Sequence, residues 1–271
     1  MAQLQTGSTE NYQGKLYDSW TATSSALKID WKPGTENFRE PSLVTDNSAD
    51  TLAVLSSVTG TSYDGASSLY ASGGIFYNYF TDAKAFGQAM QNDYNDMVES
   101  VIKYKGFYIG RYETSINGTT VASTTGTKDT RPMASKKWYE MYKLQREFSN
   151  SDTSLSAVKS SMVWGSQYDA MLNWALTGTD KSKVTANNNA PHGNSINEAY
   201  RPGTQPEDKI NNIYDLEGNV YECILEAASI VSRVLRGGNY AYADTPSRRS
   251  VSDKPTVSSV YYGSRATLYI K

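Results

Sequence analysis

The chain holds one cysteine and one histidine in 271 residues. A lone Cys223 excludes an intrachain disulfide and fits synthesis in a reducing compartment. No run of about 18 apolar residues occurs, so no membrane-spanning helix is expected. The opening residues, Met1-Ala2-Gln3-Leu4-Gln5, carry neither a basic stretch nor an apolar one, and no secretory signal is expected. Lys and Arg number 26 against 28 Asp and Glu, a net charge of −2. No basic stripe stands out, which argues against nucleic acid as the main partner. The chain also lacks a phosphate-binding loop ending in Gly-Lys-Ser/Thr and a Gly-x-Ser-x-Gly nucleophile turn.

Tyrosine is in excess, 21 residues against 6 phenylalanines. Its ring supplies apolar area and its hydroxyl a polar tip, which suits a binding surface; a tyrosine-rich core has the same composition. The length fits one large domain, or one domain plus an extension, with a sizeable core. Residues 1–50 are polar and read as mostly irregular, and 51–75 carry loop signals at Gly60, Gly65, Gly73 and Gly74.

Phe86, Met90, Tyr94, Met97 and Val101 recur at helical spacing and predict an amphipathic helix over 83–103, with Asp82 as N-cap and Gly106 at its end. Phe107 to Tyr112 reads as a strand and 116–130 as a loop. Trp138, Met141, Tyr142 and Phe148 predict a second helix over 135–148. Ser166-Gln167-Tyr168-Asp169 has the form of a capping box, with Asp in its last place, and predicts a third helix. Residues 177–207 form a long loop. Val234-Leu235 and the alternation from Arg265 to Ile270 predict short strands, the last with one buried and one polar face. Helices early and short strands late indicate the α+β class.

The string from Asn211 to Glu222 (Asn-Asn-Ile-Tyr-Asp-Leu-Glu-Gly-Asn-Val-Tyr-Glu), followed by Arg233-Val234-Leu235-Arg236-Gly237-Gly238, resembles the signature of the formylglycine-generating enzyme (sulfatase-modifying factor) family. Gly106 to Ser115 is similar to that family's early strand. Pro132 to Trp138 and Met162 to Tyr168 are similar to its central helical landmarks, and Gly263-Ser264-Arg265 stands where its closing Gly-Phe-Arg belongs. The resemblance runs from about residue 83 to the last residue and implies a C-type-lectin-like fold with short strands, two or three helices and long loops. Residues 1–80 are then a polar N-terminal segment packed on the domain or irregular, and 81–271 the domain. Gly218, Gly237 and Gly238 become turn positions. Arg236, Arg265 and Glu222 become hydrogen-bonded charge pairs, and Tyr214, Tyr221 and the tryptophans become core.

The family's enzymes oxidise with cysteine thiolates that bind copper. Cys223 stands where the family has Trp, inside the scaffold motif, and reads as a buried structural thiol. Related iron-dependent sulfoxide synthases need a histidine cluster, and His192 alone, in the polar loop, does not make one. No cofactor is expected. Some members hold a structural calcium ion near this segment; Asn219 and Glu222 offer oxygens to one, without a full ligand set.

One branch of the fold comprises the variable proteins of diversity-generating retroelements, in which adenine-directed mutation rewrites the C-terminal surface. AAC or AAT codons altered at adenine cannot yield Lys, Glu, Gln, Met or Trp. Residues 239–262 lack Glu, Gln, Met and Trp, and Lys254 is the single exception. The segment closely resembles that branch's variable region, with Arg233, Arg236, Gly237, Gly238, Pro246, Arg249, Pro255, Gly263 and Arg265 as its fixed frame. Stiff tyrosines would supply contact area while Ser, Asp and Asn adapt. About one in four of these tyrosines is expected to turn into the core, because strands hide alternate residues.

The expected function is that of a non-catalytic ligand-binding protein whose surface over 228–262 recognises a protein or glycan, such as a cell-surface receptor. The expected contacts are Tyr240, Tyr242, Asp244, Thr245, Arg248, Ser250, Ser252, Asp253, Val257, Ser259, Tyr261 and Tyr262. The alternatives are a copper-dependent oxidoreductase of the formylglycine-generating type and a phage structural protein. No nucleic-acid partner and no membrane insertion are expected. A virion-associated location and a cytoplasmic one fit the sequence equally, and the oligomeric state is open.

Overall fold

The computed structural model describes residues 69–117, 120–121, 131–175, 209–229, 232–242 and 251–271, positions 199, 202, 203 and 246, and the backbone of 2–5, 18–23 and 26–30. Its architecture is mixed: three α-helices, two four-stranded sheets and two short hairpins among the described residues. No helix there is long and apolar enough to cross a membrane.

Helix α1 (Ala83–Tyr104) follows its apolar spacing. Phe86, Met90, Tyr94, Met97 and Val101 are fully buried, and the Asp82 carboxylate accepts the Ala85 N–H at 2.8 Å. It closes at Lys105 rather than Gly106. Lys105 takes φ +63° and donates its N–H to the Val101 carbonyl at 2.8 Å, which frees Gly106 to open the next strand.

Helix α2 (Trp138–Glu147) begins at its first apolar residue, three positions later than the expected start at 135. The Glu140 carboxylate reaches back to accept the Lys137 N–H at 2.7 Å, fixing the start, and Phe148–Asn150 tightens into a 3₁₀ turn. Helix α3 (Gly165–Ala175) corrects the expected capping box. Gln167 has the length to reach back and accepts the Trp164 N–H at 3.1 Å, whereas Asp169 is taken by the buried guanidinium of Arg236.

The first sheet runs in the order β1 (Ala2–Gln5), β4 (Gly106–Ile109), β12 (Ala266–Ile270) and β7 (Val158–Met162), antiparallel throughout. The second runs β10 (Val251–Asp253), β9 (Ser232–Arg236), β8 (Tyr221–Ser229) and β11 (Tyr262–Ser264), with β11 parallel to β8. Hairpins pair β2 (Asp18–Thr23) with β3 (Ala26–Asp30) and β5 (Ile116–Asn117) with β6 (Thr120–Val121). The N-terminal stretch expected to be mostly irregular thus supplies three strands, and the loop expected over 116–130 holds a small hairpin.

The expected two-faced character of the last strand is also corrected. Ala266 to Tyr269 are all buried, because β12 is an interior strand covered on both sides. The Tyr269 hydroxyl donates to the Asp93 carbonyl of α1 at 3.2 Å, while Leu268 packs in a cluster with Phe148. Packing begins before residue 81: Phe76 is fully buried, with its ring stacked 5.0 Å from that of Phe86.

Candidate ligand-binding face

The base of the face is a set of buried arginines, Arg233 and Arg236 on a short strand and Arg265 between two. Arg236 donates from Nη2 to Asp169 at 2.9 Å and from Nε to the Pro246 carbonyl at 3.0 Å, and its guanidinium lies 4.5 Å over the Tyr168 ring. Arg265 joins β11 to β12. It donates from Nε to Glu222 at 2.9 Å, and from Nη1 and Nη2 to the carbonyls of Gly110 and Tyr214 at 3.0 and 2.8 Å. Arg233 differs, lying 4.5 Å over the Trp138 ring and donating to the Leu225 carbonyl at 2.7 Å. Burial pushes its guanidinium down to about 9. The anticipated charge pairs of Arg236, Arg265 and Glu222 are present and fully buried; the acid that completes one of them is Asp169, which the sequence places last in the expected capping box.

Glycines hold the turns of this frame. Gly218, Gly237 and Gly238 take φ +91°, +86° and +78°. A Cβ on Gly237 would stand 2.6 Å from the Leu216 carbonyl oxygen, and one on Gly263 would stand 2.5 Å from Val220 Cγ2. Pro246 and Pro255 are buried, and the Pro255 carbonyl accepts the first N–H of α2, Trp138, at 3.2 Å. Arg249 lies outside the described residues.

Three tyrosines stand on this frame in a row. Tyr240 is the inner one, 8% exposed, and its ring lies 5.0 Å from that of the half-buried Tyr261. Tyr261 meets Tyr242 edge-on at 6.3 Å, and Tyr242 is 64% exposed. Tyr240, expected as a contact, is instead the tyrosine of the four that turns inward. Tyr262 is half-buried against Tyr221, and its hydroxyl donates to Asp253 at 2.7 Å. Burial, then that bond, pushes the Tyr262 phenol up.

The backbone places the rest. Ser259 accepts the Ser135 N–H through its carbonyl at 2.9 Å and the Tyr261 N–H through its hydroxyl at 3.1 Å, so it forms a turn. Val257 is half-buried in a turn, its N–H donated to the Lys254 carbonyl at 3.0 Å. Ser252 is described as backbone in β10, paired with Val234. Asp244, Thr245, Arg248, Ser250 and His192 lie outside the described residues. Val260, 53% exposed, and the exposed Ala241 and Ser258 were missing from the expected contact set. Val257 and Val260 have equal sequence credentials, so side-chain composition alone gives no signal that separates them.

Tyr214 and Tyr221, expected as core, are half-buried. Tyr214 stacks on Tyr112 at 5.1 Å with Arg111 against both rings, and Tyr221 borders the face.

Beneath the face lies a buried acidic group. Glu113 accepts from the Asn219 amide and from the Val220 N–H, and its carboxyl is pushed well above its ordinary range by burial, then by Asp215 and Glu222. Burial likewise pushes Asp215 up to about 6; it accepts the Gly203 N–H at 2.9 Å. The two side chains considered for calcium, Asn219 and Glu222, are both buried and bonded within the protein. Asn219 turns its amide to Glu113, Glu222 gives Oε1 to Arg265, and among the described residues no three acids, histidines or cysteines are arranged to hold a metal. Cys223 is buried on β8, and burial pushes its thiol up.

Comparisons with family models, curated proteins and solved structures find no match to the chain.

Proposed function

We propose that this is a non-catalytic ligand-binding protein with a C-type-lectin-like fold of the formylglycine-generating type, and that a retroelement diversifies its surface over 228–262. The partner is a protein or glycan displayed on a cell or competitor. One observation carries the reading. The described residues assigned to the frame are buried, Arg236 and Arg265 with several hydrogen bonds each, whereas Tyr242, Ser258 and Val260, interleaved with them in sequence, are exposed. Side chains of the second set can change without disturbing the first.

The burial of Cys223 and the upward push on its thiol also support the reading, since a copper-binding thiolate has to ionise and be reached. The test is sequencing of the genomic neighbourhood and of many copies of the coding region. A reverse-transcriptase gene and a near-duplicate of the DNA for 228–265, differing at adenines, are expected. Substitutions spread evenly over the gene, with no such template, would overturn the diversification. Copper-dependent thiol oxidation that disappears in Cys223→Ala would overturn the non-catalytic assignment.

A further inference from the structure

The two outer rings of the tyrosine row are aimed by the same device, used twice. Asn239 is buried, and its side-chain oxygen accepts the N–H groups of Ala241 at 2.7 Å and Tyr242 at 3.0 Å. Backbone bonds between Asn239 and Tyr242, at 2.9 and 3.2 Å in the two directions, close that turn. The neighbouring Tyr240 N–H is tied to the buried Asn219 carbonyl at 3.0 Å. On the other side of the row, Ser259 Oγ accepts the Tyr261 N–H at 3.1 Å, and the Ser259 carbonyl accepts the Tyr262 N–H at 3.2 Å. Short polar side chains that bond the backbone two or three residues on hold such turns without help from regular structure.

We propose that Asn239 and Ser259 are positioning residues for the aromatic pair Tyr242 and Tyr261, and do not themselves touch the ligand. Each stands two or three residues before the ring it aims, and the two rings meet edge-on at 6.3 Å only if both turns hold. The exposed Tyr242 is thereby held in place before a ligand arrives, which removes part of the ordering cost of binding. Both residues lie inside the segment whose codons permit change, so the replaceable set contains two members whose loss weakens every ligand through loss of order at Tyr242. This consequence rests on the binding role proposed above. The geometry does not, and its test needs no ligand, so either can fail alone.

The experiment places 3-fluorotyrosine at position 242 of the full chain and records its ¹⁹F resonance, with site-resolved amide exchange at Ala241 and Tyr242. The unmodified frame is expected to give one narrow line shifted by the Tyr261 ring. Asn239→Ala and Ser259→Ala should move that line towards the position of free fluorotyrosine. Asn239→Ala should also speed exchange at both amides by about tenfold, the worth of roughly one hydrogen bond. Asn239→Asp and Ser259→Thr keep the accepting oxygen and should restore the line. A label at exposed Tyr77, whose N–H is bonded to the Gly74 carbonyl in a separate turn, reports folding and should stay unchanged. If Asn239→Ala leaves line and exchange rates as they were, or if Asn239→Asp behaves like Asn239→Ala, the assignment is overturned. Should Asn239→Ala disturb the Tyr77 label as well, Ser259→Ala with its Ser259→Thr rescue decides by the same criteria.

Discussion

Arg236 donates to Asp169 at 2.9 Å, and both side chains are closed off from solvent. The pair ties β9, which leads into the tyrosine face, to α3 in the main core. Removing one partner leaves the other charge buried without its counterion. Asp169→Leu is therefore expected to cost about 3–5 kcal/mol in urea denaturation. The double substitution Asp169→Leu with Arg236→Met should recover a large part of that loss. A single substitution within about 0.5 kcal/mol of the parent would show that the pair does not hold the fold.

The acidic group beneath the face gives an inverted pH dependence. Asp215 is raised from 3.8 to about 6, and Glu113 is raised as well, both chiefly by burial. A carboxyl whose folded-state pKa lies above its unfolded value stabilises the fold at low pH, and that contribution is lost as pH rises through the folded value. For Asp215 the window is about pH 4 to 6, with a magnitude on the order of 2–3 kcal/mol. Asp215→Asn keeps an oxygen for the Gly203 N–H and should be more stable than the parent at pH 7 but not at pH 4. Urea midpoints across that range check it. Parallel curves for the two proteins would refute the raised pKa.

Three glycines separate strain from crowding. Gly73 and Gly237 both take φ +86°, yet a Cβ on Gly73 meets nothing within 4 Å, whereas one on Gly237 stands 2.6 Å from a backbone oxygen. Gly73→Ala should cost about 1 kcal/mol, from the left-handed conformation alone. Gly237→Ala and Gly263→Ala should each cost more, about 2–4 kcal/mol, because neighbours have to move. Thermal melts of the three variants rank them, and equal shifts would contradict the crowding.

The tyrosine row predicts a gradient from scaffold to surface. Tyr240→Ala should lose about 2–4 kcal/mol of stability, the range for truncating a buried aromatic with some collapse of the site. Tyr242→Ala should change stability by less than about 0.5 kcal/mol while removing the main exposed ring. Denaturation of the two variants side by side measures the gradient, and equal losses would place both rings in the core.

Helix α1 was legible because its five apolar residues and Asp82 speak the same local language of spacing and capping. The turns at Gly218 and Gly237-Gly238 were legible for a similar reason, since a glycine at a tight turn carries its own explanation. What the sequence hid depends on partners far along the chain. Asp169 reads as the last residue of a capping box until Arg236, 67 positions away, claims it. The strand from Ala266 alternates as a surface strand would, but its burial is set by α1 on one side and Phe148 on the other. Within the face, Ser259 and Ser258 are indistinguishable as letters, and only the fold makes one a turn and leaves the other exposed.

The single residue Arg265 separates β11, in one sheet, from β12, at the interior of the other. A pull on the chain at Tyr262 therefore meets a strand directly. The force passes through Tyr262 to Ser264 in shear against β8, then through the Arg265 guanidinium, then along β12 between β4 and β7. Two sheets thus share the anchorage of this segment, like a bolt through two plates.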